Sequence, residues 1–276
     1  MTHDIEGRAG REFTPDLMDI DDSFGLKAAF QVVPEWLSGP LDPLLEQIRT
    51  RGFEVNLHDL NHDGSLFRER KQFRRRATEI NRHARELGCK GFRSGAMYRE
   101  QDWYHAFEFS FDMSVPNVAH LEPQRGGCCT VLPYFIGRIL ELPLTTTQDY
   151  SLFHILNDYS ITLWKRQIEM IRGGNGLISF ITHPDYLVDK RARTVYVQLL
   201  EHLAALRSEG NVWMAVPGEV DRWWRERDQM KLRAVGNSWV IEGPGSERAR
   251  IAYATLHDGE LVYTLNDPGI AREQAH

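Results

Sequence analysis

Apolar runs of strand length alternate with amphipathic stretches over most of this 276-residue chain, and that order constrains the fold more than any other feature. Residues 27–33 (KAAFQVV) read as a buried strand, and Leu41, Leu44, Leu45 and Ile48 follow at helical spacing. Residues 53–57 give the next strand. A helix is expected over 66–87, where Phe73, Ala77, Ile80, Ala84 and Leu87 recur at steps of four and three until Gly88 stops it. Further strands are expected at 91–93, 107–112, 128–132, 177–182 and 212–216, with helices near 150–172 and 190–208. Repeated strand-then-helix order builds a largely parallel sheet with helices outside it, either a barrel or an open doubly wound sheet. Functional side chains then gather at the carboxyl ends of the strands.

The pattern changes near residue 217. A helix with Pro217 in its first turn leads into β-rich runs, two of them joined through Asp258-Gly259, a hairpin signal. The division expected is therefore 1–216 for the α/β body and 217–276 for a small extension of helix and β-hairpin. The net charge of −6 argues against a dedicated nucleic-acid binder. The basic run RERKQFRRR (68–76) reads as the solvated face of the amphipathic helix. No run reaches the roughly 18 apolar residues of a transmembrane segment, and the first residues lack the apolar core of a signal peptide. Three cysteines, Cys89, Cys128 and Cys129, make no disulfide framework, so a reducing, cytoplasmic setting is expected. The oligomeric state leaves no mark in the pattern.

FEVNLHDLNHDG (53–64) puts His58 just past a strand and His62 four residues on. On one helical turn, side chains at i and i+4 share a face, so both imidazoles can reach one ion. Zinc accepts imidazole nitrogen, and a catalytic site takes two His and a carboxylate while keeping a position for water. The alternative is a pair of loop histidines that only hydrogen-bond. The overlapping D-x-N-x-D-G imitates a calcium loop, but its twelfth position is Arg70 where a bidentate Glu is required. H-E-x-x-H, the zinc-protease pattern, is absent.

Taken in order, the motifs of residues 1–216 resemble the polysaccharide deacetylase family, the NodB-homology domain of metal-dependent carbohydrate deacetylases. The resemblance rests on Asp4-Ile5-Glu6 before the strand at 27–33, on His58 and His62 in an H-[ST]-x-x-H pattern with Asp59 at the hydroxyl position, on Gly91-Phe92-Arg93-Ser94-Gly95, and on His183 in an L-x-H-like segment. It implies an irregular (β/α) barrel of the NodB type, with the C-terminal β-rich extension added. It also implies Asp4 as general base, Glu6, His58 and His62 as ligands of a divalent metal ion (zinc foremost), Arg93 orienting Asp4, and His183 as general acid. Asp112, on the strand after Arg93, would support substrate binding. Gly95 stands where the family pattern has proline. The implied activity is removal of acetyl groups from an N-acetylated sugar in a polysaccharide or glycoconjugate. Such an ion lowers the pKa of bound water and polarises the acetyl carbonyl.

Other readings stay open. Tyr98 and Trp103 could stack on a sugar face or pack in the core. Asp4 could be frayed N-terminal surface, and His183 a structural loop histidine. Asp21 and Asp22, at the end of a helix over 15–24, read as solvated. Only three residues precede Asp4, fewer than a strand of about 4–8 residues supplies. The expectation is a first strand lacking its upstream part, with Asp4 and Glu6 loosely held. Two rival functions are an amidohydrolase of the same fold acting on a small non-sugar amide, and a non-catalytic carbohydrate-binding protein.

Overall fold

A computed structural model describes residues 1–116, 130–210, 212–236 and 238–265. Among them, eight strands form one curled sheet in the order β6-β7-β5-β4-β3-β2-β1-β8. They are β1 (Thr2–Ile5), β2 (Ala29–Val32), β3 (Glu54–His58), β4 (Gly91–Arg93), β5 (Phe111–Asp112), β6 (Tyr134–Ile136), β7 (Ile139–Glu141) and β8 (Ile181–Thr182). Every pairing is parallel except β6 with β7. With α1 (Arg8–Ser23), α2 (Pro43–Thr50), α3 (Arg70–Leu87), α4 (Thr162–Gly173), α5 (Pro184–Leu187) and α6 (Lys190–Ser208), this is an irregular (β/α) barrel of the NodB type.

Helix phase decides which side chains fill the core. Phe73, Ala77, Ile80, Ala84 and Leu87 are all buried on α3, and Gly88 closes it at a left-handed φ of 64°. The arginines of the basic run remain outside that stripe. Among them, Arg76 braces the His58–His62 loop by binding Asp63 (Nη1–Oδ1 2.7 Å, Nη2–Oδ2 2.5 Å).

The first strand is better held than its length suggests. All four residues of β1 are buried, and Thr2 is in register with Ala29 on one side and Ile181 on the other. A strand in the middle of a parallel sheet shares ladders with two neighbours, so four residues suffice to fix it. His3 adds an anchor, its Nδ1 lying 2.7 Å from Thr182 Oγ1 and its Nε2 3.0 Å from Asp21 Oδ2. The Tyr196 hydroxyl donates to Asp21 Oδ1 at 2.5 Å. Asp21 is thus fully buried, contrary to the solvated reading, because α1 begins at Arg8 and its inward face runs Thr14, Leu17, Met18, Asp21. Asp22 does lie outside, paired with Lys27 and Arg51.

Other expectations shift. The 150–172 helix separates into a π-helical turn at Ser151–Ile155 and α4. Residues 212–216 make no strand among those described. Of the strand expected at 128–132, Cys128 and Cys129 lie outside the described residues.

The chain divides into two compact units, Met1–Glu219 and Val220–His276. The second takes most of α7 (Pro217–Gln229) and two antiparallel hairpins, β9 (Lys231–Val235) with β10 (Ser238–Glu242) and β11 (Tyr253–His257) with β12 (Glu260–Thr264). Asp258 and Gly259 both take positive φ (51° and 85°), the two-residue turn that matches strand twist.

Candidate metal centre

At the carboxyl ends of β1 and β3, one oxygen gathers three imidazoles. Glu6 Oε1 lies 2.9 Å from His58 Nε2, 3.0 Å from His62 Nε2 and 3.6 Å from His183 Nε2. Glu6, His58 and His62 each present one ligand atom within 4.8 Å of the others, and so do Asp4, Glu6 and His183. Burial acts to raise the Glu6 carboxyl, but the imidazoles of His183, His58 and His62 gathered around it outweigh burial and hold the group well below the usual carboxylate range. For His58, burial opposes the charged form, and the nearby Asp4 and Glu6 carboxylates outweigh it and raise the pKa.

The second histidine arrives by a route other than a helical turn. His58 ends β3, and the chain then turns through left-handed Asp59 (φ 56°) and His62 (φ 59°), bringing the two rings to 4.8 Å between centroids. Aspartate and histidine are among the residues that tolerate this region. Gly95 lies against the same turn. A Cβ there would sit 2.6 Å from Asp59 Oδ2 and 3.1 Å from His62 Cδ2, so a residue with a side chain, proline included, would press on the loop.

The donor set fits a divalent cation. His58 Nδ1–H donates to the Arg93 carbonyl at 3.1 Å, which fixes the ring with Nε2 turned toward Glu6, the nitrogen an ion would take on losing its proton. His62 Nε2 is buried without a hydrogen-bond partner although it stands 3.0 Å from Glu6 Oε1. Two imidazole nitrogens and a carboxylate oxygen, converging and incompletely satisfied by one another, are a donor set suited to a divalent cation.

Asp4 and His183 flank these ligands. Asp4 is buried and held by Arg93 (Nη1–Oδ1 2.6 Å), itself buried, whose Nη1 also donates to Thr2 Oγ1 at 2.9 Å and whose Nε donates to the Met113 carbonyl at 3.0 Å. The loosely held Asp4 expected from the short first strand is therefore not observed. His183 Nδ1–H donates to Asp149 Oδ1 at 2.6 Å, and its backbone N–H donates to Asp149 Oδ2 at 2.6 Å. Burial opposes the imidazolium, but the charge and hydrogen bond of Asp149, with Glu6 behind them, push the pKa of His183 well up. No sequence motif marks Asp149. It stands 34 residues before His183 in a segment without periodicity, and an acid ahead of an aromatic is its only signal.

The three expected sugar contacts separate. Tyr98 is 58% exposed and reaches Gly64 at the rim of the metal loop. Trp103 is half-buried and packs against the core, its ring 5.3 Å from Phe73 and 6.4 Å from Phe67, because the turn at Gln101–Ala106 lies on α3. Asp112 is buried, accepting from the Tyr104 hydroxyl at 2.9 Å and the Ser114 hydroxyl at 2.7 Å, so it braces the segment around the end of β5 and is not open to substrate. Beside His183, Tyr186 (centroids 4.8 Å apart) continues through His154 (4.7 Å) to Tyr150 (5.6 Å from His154), an aromatic shelf with Tyr150 and His154 exposed.

Glu141 neighbours Asp112 and accepts the Val115 N–H at 2.9 Å. Burial, with the Asp112 charge and hydrogen bond adding to it, raises its carboxyl far above the ordinary range. The folded chain keeps that proton where the unfolded chain releases it, above about pH 4.3, so Glu141 subtracts stability as the pH rises. Glu141→Gln is expected to flatten the fall of Tm between about pH 5 and about pH 8 in thermal scans. An unchanged slope would refute this.

Comparison with solved structures reaches the same fold. A Mycobacterium smegmatis protein assigned as a polysaccharide deacetylase superposes with a TM-score of 0.66 at 16% identity, over 86% of this chain and 93% of that one. PuuE allantoinase superposes with a TM-score of 0.57 at 13% identity, over 77% and 72%. No protein-family model matches the sequence, and no curated protein matches it.

Proposed function

We propose that this chain is a metal-dependent amide hydrolase that removes acetyl groups from an N-acetylated sugar of a polysaccharide or glycoconjugate. The observation that carries the reading is the convergence of His58, His62 and His183 on Glu6 Oε1, with Asp4 beside them. Glu6, His58 and His62 would hold the ion, zinc by the chemistry of the donors, and a bound divalent ion there lowers the pKa of water and polarises the amide carbonyl.

The protein's own groups then divide the proton work. Asp4 Oδ2 lies 3.8 Å from His58 Nε2, at the edge of the ligand set, and takes a proton from the attacking water. Arg93 holds the other carboxylate oxygen of Asp4, so the base keeps one orientation. His183, with Nδ1 bound to Asp149, presents Nε2–H to the cleft and protonates the leaving amine. Asp149 positions that ring and favours its charged form. The shelf of Tyr186, His154 and Tyr150 stands on the leaving-group side, where aromatic rings suit the apolar face of a sugar.

The test is acetate release from N-acetylated oligosaccharides, lost on chelation and restored by zinc. Acetate release that survives full removal of metal would sink the reading. Likeness to an allantoinase favours a second one, hydrolysis of a small ureide. Ureides in the same substrate panel separate the two.

A further inference from the structure

Glu6 belongs to a second feature that the hydrolytic reading leaves unused. A cavity of about 390 Å³ opens beside it, walled by Ile5, Val32, Val33, Trp36, Leu37 and Leu44. It lies at the carboxyl ends of β1 and β2 and reaches the metal centre through Trp36, whose ring is 6.2 Å from that of His62. Resting on the proposed amide hydrolysis and widening its acyl group beyond acetyl, we infer that this cavity receives the acyl chain of the scissile amide, and that the preferred acyl group is an uncharged aliphatic chain of about four to eight carbons.

Three observations lead there. The first is side. His183 protonates the leaving amine from β8, on one flank of β1, whereas the cavity walls come mainly from β2 and the segment after it, on the other flank. An amide bound with its nitrogen toward His183 directs its acyl group toward Trp36. The second is size. A water molecule has a share of about 30 Å³, and a methyl group is comparable, so an acetyl methyl would fill a small part of the space. The volume falls in the roughly 300–1,000 Å³ range of small-molecule sites.

The third is charge. Two arginines border the cavity, and both are matched: Arg8 Nε binds Glu12 at 2.7 Å, and Arg11 Nη2 binds buried Asp42 at 2.5 Å. Asp42 also caps α2 by accepting the Leu44 N–H at 3.0 Å, so Arg11 braces a wall instead of offering a cation to ligand. A phosphate or carboxylate would compete with Glu12 for Arg8 and with buried Asp42 for Arg11. An aliphatic chain would gain about 0.8 kcal/mol per buried methylene, which converts to about fourfold each.

The test compares N-acetyl-, N-butyryl- and N-octanoyl-glucosamine as substrates of the metal-loaded protein, reading free amine. Two added methylenes predict that kcat/KM for the butyryl amide exceeds that for the acetyl amide by about 15-fold. Calorimetric titration of Asp4→Asn with the acetyl and octanoyl compounds gives a readout that needs no turnover. Tighter octanoyl binding by tenfold or more is expected, and Leu37→Trp, which narrows the cavity, should erase that preference. Acetate release without faster butyryl turnover or tighter octanoyl binding overturns the acyl-pocket inference and leaves the hydrolase reading standing. Octanoyl binding sensitive to Leu37→Trp, with no amide hydrolysed, overturns the hydrolase reading and supports the pocket. The wild-type chain-length series decides the matter even if Leu37→Trp fails to fold.

Discussion

In His58→Ala, bound metal and acetate release are both expected to fall to background, the metal read by mass spectrometry of the purified protein. The Nε2 of His58 is fixed by β3 and by the Nδ1 hydrogen bond to the Arg93 carbonyl, and removing the ring takes one of the three converging donors away from Glu6 and His62. His62→Ala should act in the same direction, since its unpartnered buried Nε2 completes the donor set. A divalent ion contributes several kcal/mol of charge stabilisation. At about 1.4 kcal/mol per tenfold, the loss in kcat/KM is at least about a thousandfold. Full metal occupancy in either variant would dismiss the ligand assignment.

The largest effect on stability is expected from Arg93→Met. Arg93 and Asp4 form a buried ion pair at 2.6 Å, and the guanidinium also holds Thr2 Oγ1 and the Met113 carbonyl. Removing one partner leaves an uncompensated charge in the barrel, at a cost of about 3–5 kcal/mol. In a unit of this size that lowers Tm by roughly 6–20 °C. Replacing both partners with apolar groups is often close to neutral, so Arg93→Met with Asp4→Leu should recover much of the loss while abolishing turnover. Denaturant titrations of the two variants check this. A single variant within about 1 kcal/mol of the parent would show that the pair is not the barrel's charge anchor.

Much of the barrel and most of the candidate centre are legible in the sequence because their signals are local. Phe73 to Leu87 announce α3 through their period, and His58 and His62 stand four apart beyond an apolar run. The residues that escape such a reading are placed by tertiary contact. Asp149 meets His183 across a long connection, and no spacing rule joins them. Trp103 suits sugar or core by its chemistry, and only the packing of its turn on α3 decides for the core. Asp21 is a different case. It continues the 14, 17, 18, 21 stripe of α1, so the periodicity that locates the core also holds its burial. The acidic side chain conceals it, since a buried carboxylate needs partners, here His3 and Tyr196, that only the fold supplies.

The pairing of β1 with β8 sets an order on the ribosome. His3 and Thr182, hydrogen-bonded neighbours in the sheet, are 179 residues apart in the chain. At about 5–20 residues per second, β1 waits roughly 10–35 s for that partner to emerge. Glu6 can meet both His58 and His62 once residue 62 is out, Asp4 gains Arg93 at residue 93, and His183 joins last, when its neighbour Asp149 is already present. The Glu6, His58 and His62 cluster is therefore made long before His183, and the full four-residue convergence waits for the last strand of the sheet.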